Sequence, residues 1–304
     1  MNVIMRFLAA VFPLRARHRV YTAVLSSALR SEFGGSCLRG EGWVGFAVKT
    51  ARPEALQVQD NVSRVIHQVE AIVRSDFGCR ASTPCRVCVV YCPGSEDLAA
   101  VIETVLPHLR KVRRDPNVGG RSLSENATVF ITGKPDSRRL YESTAHEVTH
   151  TLCYLLLSSS GLIPWASEGY ANLVVDHLLR RFKLGNPLLE HINVYRGFCT
   201  AGQAMSLKKL LLVRNQESEL PEEKRGYFQS HATGFVSFLR WCGLRSPEIN
   251  TVFHAAVGET IDSCEELLDM VEQAFRCPVA EIESRFLCYC ESVATGMPPA
   301  SAVP

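Results

Sequence analysis

Two histidines and a glutamate within five positions give the segment TAHEVTHTLCY its chemical interest. His146 and His150 are four positions apart, so on an α-helix both imidazoles lie on one face and can bind one metal ion. Glu147 is rotated by about 100° from His146, too far to join the same ligand set but near enough to reach a metal-held water. Zinc lowers the pKa of such a water to about 7, and a carboxylate can take its proton. The spacing is therefore typical of a hydrolytic centre with one Zn²⁺ ion and Glu147 as general base, but an ordinary helix can also carry these residues by chance, so the motif alone does not decide.

A catalytic zinc site of this kind needs a third protein ligand. The metzincin class requires a glycine and a histidine three and six positions beyond the motif, where this chain has Cys153 and Leu156, so that class is excluded. The alternative is a carboxylate from a following helix. Glu168, in the segment IPWASEGYANL, is the predicted third ligand. Asp176 and His177 are alternative candidates for the third ligand on the same helix, but they lie two turns farther on and should point away from the two histidines.

The order of these residues resembles that of the gluzincins, the glutamate-zincins, and in particular the bacterial peptidase-MA-like group. The resemblance rests on HEVTH at 146–150, followed by Pro-Trp-x-x-Glu-Gly-x-Ala at 164–171. A looser similarity extends over about 85–292 and includes the segment YFQSHATGFVSFLRWCG at 227–243.

The family implies an α+β, zincin-like fold, in which a small mixed sheet packs on the HExxH helix and a mainly helical half follows. The strand ATVFIT at 127–132 resembles the family's edge strand beside the active site. The resemblance further implies a single zinc ion held by His146, His150 and Glu168. It implies that the protein hydrolyses peptide bonds, with Glu147 as the base that activates water.

Further expectations concern residues around the ligand set. Asn172 stands four residues after Glu168, where relatives tend to carry an acidic residue that orients a histidine ligand; an uncharged amide would reduce ligand basicity or metal affinity. Tyr227, which matches a Tyr-x-Gln-Ser pattern of the family, is the first candidate for stabilising the oxyanion, and His231, one turn later, is the second. If ATVFIT is the edge strand, an extended substrate could add to it.

Hydrophobic periodicity and turn residues predict the elements that position these side chains. A helix is expected over 54–78, and short β-branched runs at 86–91 and 127–132 are typical of strands. A helix over 138–157 would carry the HEVTH motif, and another after Pro164 would carry its third ligand. Other helical patterns lie at about 96–112, 203–213, 224–242, 246–257, 262–275 and 279–291.

The domain organisation predicted from these elements is simple. Residues 53–297 are expected to form one peptidase-MA-like domain, best supported over 85–292, with a disordered tail at 298–304. Residues 1–52 are expected to be a variable extension, in which GGSCLRGEGWVG at 34–45 is typical of turns or a linker.

Composition limits the partners and the compartment. A net charge of +2 provides no single-sign field, so nucleic acid is not expected as a partner, whereas a peptide or protein substrate is. The apolar run from Phe7 to Leu14 is followed by arginines rather than a small-residue cleavage site, and no stretch reaches the roughly 18 to 20 apolar residues of a stable membrane span. Twelve cysteines in a chain long enough to build a core are typical of reduced thiols, which favours the cytoplasm over a secreted or periplasmic location.

Two other functions are compatible with the sequence. A catalytically weakened or inactive zincin domain could bind peptides or a protein partner, and Asn172 leaves this alternative open. The number of cysteines alone would allow a redox or metal-sensing role.

Overall fold

The chain divides into two compact units, Met1–Leu156 and Leu157–Pro304. The computed structural model describes residues 25, 27–34, 36–79, 86–105, 120–124, 127–157, 163–258, 261 and 263–297. The tail expected at 298–304 and the apolar run near the N-terminus lie outside these residues. Within the described part of the chain, no helix combines the length and the apolar character needed to span a bilayer.

The first unit is built on one mixed sheet of five strands. They are β1 (Ser36–Gly40), β2 (Trp43–Ala47), β3 (Val87–Cys92), β4 (Gly120–Leu123) and β5 (Thr128–Thr132). Their order is β1-β2-β3-β5-β4; β2, β3 and β5 are parallel, whereas β1 and β4 run antiparallel to their neighbours. The strands expected at 86–91 and 127–132 are confirmed, each within one residue.

The place of ATVFIT in this sheet differs from the expectation that it is the edge strand. β5 pairs with β3 on one side and with β4 on the other, so the terminal strand is β4. The sequence of β4 is GRSL, with a single large apolar side chain, and hydrophobic alternation could not mark it. The edge-strand prediction was therefore wrong by one strand.

The segment GGSCLRGEGWVG, expected to form turns or a linker, instead supplies β1 and β2. These strands form a hairpin that joins the sheet beside β3. Gly42 in the two-residue turn has a φ of 74°, a left-handed conformation that glycine adopts without steric cost. The indole of Trp43 donates a hydrogen bond of 3.0 Å to the Ser63 hydroxyl on the following helix. Part of the predicted extension is thus integral to the sheet.

Among the described residues of the first unit, positions 27–33 are helical, and three longer helices follow: α1 (Arg52–Phe77), α2 (Ser95–Val105) and α3 (Arg138–Leu157). Gly78, with a φ of 63°, ends α1 where the sequence predicted, and the bounds of α3 are those expected. The predicted continuation of α2 toward residue 112 lies outside the described residues.

One buried amide holds α1 against the beginning of α3. The Asn61 amide nitrogen donates to the Pro135 carbonyl at 2.8 Å, and its oxygen accepts from the Tyr141 hydroxyl at 2.9 Å. On α3 itself, the Ser143 hydroxyl donates to the carbonyl of Thr132 at the end of β5. Satisfying these buried polar groups fixes α3, which carries the HEVTH motif, to the sheet.

The second unit is helical throughout its described part. Its helices are α4 (Pro164–Arg181), α5 (Pro187–Thr200), α6 (Leu207–Leu212), α7 (Gln216–Glu219), α8 (Glu222–Gly243), α9 (Pro247–Gly258), α10 (Cys264–Phe275) and α11 (Val279–Thr295). The small mixed sheet and mainly helical second half expected from the sequence are both present.

Helix α5 has no counterpart among the predicted helices. Its start is nevertheless marked in the sequence, because Asn186 is the N-cap and Pro187 follows at the first helical position. The Asn186 side chain accepts a hydrogen bond of 3.3 Å from the Leu189 amide. These start signals could have identified the helix.

Candidate metal centre

The HEVTH motif lies in the middle of α3, which begins with a serine cap. The Leu140 amide donates a hydrogen bond of 3.3 Å to the Ser137 hydroxyl just before the helix. His146 and His150 are both half-buried, and their Nε2 atoms are 3.1 Å apart. The two rings meet edge to face, with centroids separated by 4.7 Å. Both imidazoles thus direct the same nitrogen toward one point, as the spacing predicted.

This separation can be compared with the requirement of a zinc ion. Zinc–nitrogen bonds of about 2.0 to 2.1 Å at tetrahedral angles place two ligating nitrogens about 3.3 Å apart. The observed Nε2–Nε2 distance of 3.1 Å is close to that value. Without a metal, such an approach requires a proton on one of the two nitrogens. The histidine pair therefore fits a zinc ion in both distance and atom type.

Glu168 lies in the second turn of α4. The helix begins at Pro164, and the neighbouring Trp165 is fully buried against Phe235, with ring centroids 5.5 Å apart. One oxygen of the half-buried Glu168 carboxylate, Oε2, accepts a hydrogen bond of 3.2 Å from the side-chain nitrogen of Gln229 on α8. The packing of Trp165 therefore fixes the start of α4, and the hydrogen bond from Gln229 fixes the Glu168 carboxylate.

A ligand atom of each of His146, His150 and Glu168 lies within 4.8 Å of the others. In the described part of the chain, this is the one group of three or more histidine, cysteine, aspartate or glutamate side chains placed to hold a metal ion. Two imidazole nitrogens and one carboxylate are a donor set that zinc accepts. The three residues predicted as ligands are therefore together, and they could bind a metal ion.

Glu147, the predicted general base, is half-buried and lies beside the edge strand β4. A Cβ atom at Gly120, the first residue of β4, would come within 2.7 Å of Glu147 Cγ and 2.8 Å of the Phe130 carbonyl oxygen. Only a residue without a side chain fits between the glutamate and the neighbouring strand. The sequence did not reveal Gly120 as part of the site, because its role depends on strand pairing.

Asn172 is buried one turn after Glu168 on α4. Its amide nitrogen donates a hydrogen bond of 3.0 Å to the Thr233 hydroxyl on α8. With the nitrogen in this contact, only its carbonyl oxygen could accept from an imidazole N–H. The predicted influence of Asn172 on a histidine ligand stays a prediction.

Tyr227 and His231 lie in the aromatic core of the second unit. The Tyr227 hydroxyl accepts a 2.8 Å hydrogen bond from the Met205 amide, and His231 stacks on Tyr195 at a centroid distance of 4.5 Å. Their exposed fractions are 2% and 0%. The residue of α8 that contacts Glu168 is Gln229, and positions two residues away are rotated by about 200°. These contacts do not support the expectation that Tyr227 or His231 stabilises an oxyanion, which stays a prediction.

Asp176 has a structural role instead of a ligand role. Its Oδ1 atom accepts a hydrogen bond of 2.9 Å from the Leu188 amide at the start of α5. Burial raises the pKa of its carboxyl, although the Leu188 amide and the nearby Arg180 oppose this shift. His177 is exposed. Neither rival belongs to the metal-binding group.

Comparisons with known proteins do not assign the chain to a family. It matches no protein-family model and no curated protein. The resemblance to the gluzincins consequently depends on the HEVTH motif, on the PWxxEGxA segment and on the grouping of their ligand atoms.

Proposed function

We propose that this chain is a zinc-dependent metallopeptidase with a zincin-like active site. The observation that carries the proposal is the grouping of His146, His150 and Glu168 within ligand distance of one another. Glu147 directly follows the first of these residues, so any metal held there has a carboxylate beside it. A metal site with three protein ligands, an open position and an adjacent base is the arrangement of catalytic zinc rather than structural zinc.

The chemistry divides between the ion and the side chains. When bound, zinc would supply Lewis acidity, acidifying a water molecule and polarising the substrate carbonyl. His146, His150 and Glu168 would hold the ion through two neutral nitrogens and one carboxylate. The Glu147 carboxylate would accept a proton from the attacking water as the carbon–oxygen bond forms. It would then give that proton to the departing amine nitrogen as the carbon–nitrogen bond breaks.

Strand β4 would align the substrate. It is the terminal strand of the sheet that the structure describes, and its first residue, Gly120, lies against Glu147. A peptide that pairs with β4 in extended form would carry its backbone past the general base. This assigns to β4 the role first expected of ATVFIT.

Metal analysis and one substitution test the proposal. The purified chain should contain about one equivalent of zinc, and Glu147→Gln should keep this zinc while peptide hydrolysis falls by about 100-fold or more, because the amide cannot accept the proton. Glu142→Gln is a matched control on the same helix, because Glu142 forms a surface ion pair with Arg138 and is not part of the metal-binding group. Zinc below about a tenth of an equivalent, or undiminished hydrolysis in Glu147→Gln, would contradict the proposal.

A further inference from the structure

We propose that Gln229 positions Glu168 as the third metal ligand. This inference rests on the proposed function and identifies a residue outside the ligand set that determines how strongly the metal is held. Its starting point is the 3.2 Å hydrogen bond from the Gln229 amide nitrogen to Glu168 Oε2.

The contact belongs to a regular pairing of α4 with α8. One turn after Glu168, Asn172 donates to Thr233, which lies one turn after Gln229. The Thr233 hydroxyl in turn donates to the Gln229 backbone carbonyl at 2.7 Å. Two polar pairs at equal spacing on both helices fix the register of one against the other.

Close approach of the backbones makes this register rigid. Between the two pairs lies Gly169, where an added Cβ would come within 2.6 Å of the Ala232 carbonyl oxygen and 2.5 Å of Val236 Cγ2. At this step the α4 backbone therefore packs directly on α8, against the Ala232 carbonyl and the Val236 side chain. Gln229 consequently reaches Glu168 from a fixed point on α8, and the carboxylate is held by more than its own rotamer preference.

The chemical nature of Gln229 suits a carboxylate ligand. Its amide donates a hydrogen bond without adding positive charge, so Glu168 keeps its full negative charge for the metal ion. A lysine or arginine at this position would instead neutralise the carboxylate and repel the cation. The hydrogen bond from Gln229 to one carboxylate oxygen restricts the orientation of Glu168 before a metal binds. Less conformational entropy is then lost on binding.

Gln229→Met tests this role, because methionine keeps nearly the same shape but cannot donate a hydrogen bond. Zinc affinity, measured by competition with a chromogenic chelator, should weaken by about 10- to 100-fold in this variant. Cobalt in place of zinc should show an altered visible absorption spectrum, since that spectrum responds to ligand geometry. Gln273→Met, at an exposed position of α10, is the matched control and should leave both unchanged.

The outcomes separate this inference from the proposed function. If the unsubstituted chain binds about one equivalent of zinc but Gln229→Met binds it within about twofold of the same affinity, Gln229 has no positioning role and the proposed function still stands. If the unsubstituted chain binds no zinc, both are overturned. A weaker zinc affinity with an unchanged cobalt spectrum would also count against positioning, because only the orientation of Glu168 links the two measurements.

Discussion

At the residue scale, the two candidate histidine ligands could be predicted from the sequence because their spacing is local. Four-residue spacing on a helix fixes the separation of His146 and His150 before any packing is known. The contact between Gln229 and Glu168 could not be predicted, because only one face of α8 packs against Glu168 and the sequence does not say which face. The family pattern favoured Tyr227 of α8 as the oxyanion donor, and this stays a prediction; its hydroxyl accepts a hydrogen bond from the Met205 amide.

His231 should make the stability of the chain depend on pH. Burial lowers its pKa to about 3, and the adjoining Tyr195 and Tyr227 are neutral in this range because burial raises the pKa of both hydroxyls. The unfolded chain, with a histidine pKa of about 6.5, binds a proton that the folded chain excludes. The contribution of His231 is therefore fully present above pH 6.5 and is lost as the pH falls toward 3, by up to about 1.4 kcal/mol per unit.

Denaturant unfolding of the metal-free chain between pH 7 and pH 4 measures this effect. His231→Phe should lose less stability on acidification than the unsubstituted chain, because phenylalanine keeps the aromatic packing without a titrating group. His177→Gln serves as the control at an exposed position. Parallel pH profiles for His231→Phe and the unsubstituted chain would show that His231 is not the excluded group.

At the element scale, most of the long helices and the two β-branched strands β3 and β5 were predicted closely, whereas α5 and the short strands were not. The bounds of α3 and the end of α1 follow from periodicity, caps and a terminal glycine. β4 and the β1–β2 hairpin were missed, because short or glycine-rich strands carry little pattern of their own and are stabilised by their neighbours.

With Glu147 as the proposed general base, Gly120→Ala should impair the proposed hydrolysis more than metal binding. The new methyl group would lie 2.7 Å from Glu147 Cγ, so either the glutamate or β4 must move, and displacing a catalytic group by about 1 Å costs about 100-fold in rate. Peptide hydrolysis and zinc content, measured on the same sample, check this prediction. Gly197→Ala, where a Cβ meets nothing within 4 Å, is the control. Full activity in Gly120→Ala would contradict the prediction, because it would show that hydrolysis does not depend on the close approach of β4 to Glu147.

Gly169→Ala tests the contact between α4 and α8. Its methyl group would approach Val236 to 2.5 Å, and such overpacking should lower the free energy of unfolding by about 1 to 3 kcal/mol. Gly197→Ala should instead raise it by up to about 1 kcal/mol, because alanine favours an exposed helix. Denaturant unfolding measures both, and equal stability of the two variants would argue against close packing at Gly169.

At the scale of the whole molecule, the burial of the cysteine thiols can be compared in both units. Two of the described cysteines are exposed, Cys37 and Cys288, whereas six are buried: Cys88, Cys92, Cys153, Cys242, Cys264 and Cys290. Burial raises the pKa of Cys92 and of Cys242 to about 12 each, which leaves little thiolate at neutral pH. These cysteines therefore combine low access with low reactivity.

Alkylation followed by peptide mass mapping should show Cys37 and Cys288 modified first in the native chain. The six buried thiols should react only after denaturant is added, since the reactive species is the exposed thiolate. Rapid modification of Cys92 or Cys242 without denaturant would contradict the burial described, and it would strengthen the redox alternative.

By itself, the sequence predicted the candidate metal ligands, their order along the chain and the helices that carry them. The placement of His146 and His150 depends on spacing within about one helical turn, whereas Glu168 followed from the resemblance of the segment PWASEGYA to the gluzincins. Only the tertiary structure decided that β4 is the edge strand, that Gly120 makes room for Glu147 and that Gln229 is the residue of α8 that contacts Glu168. These features join residues far apart in the chain, so they follow from strand pairing and helix packing rather than from local spacing.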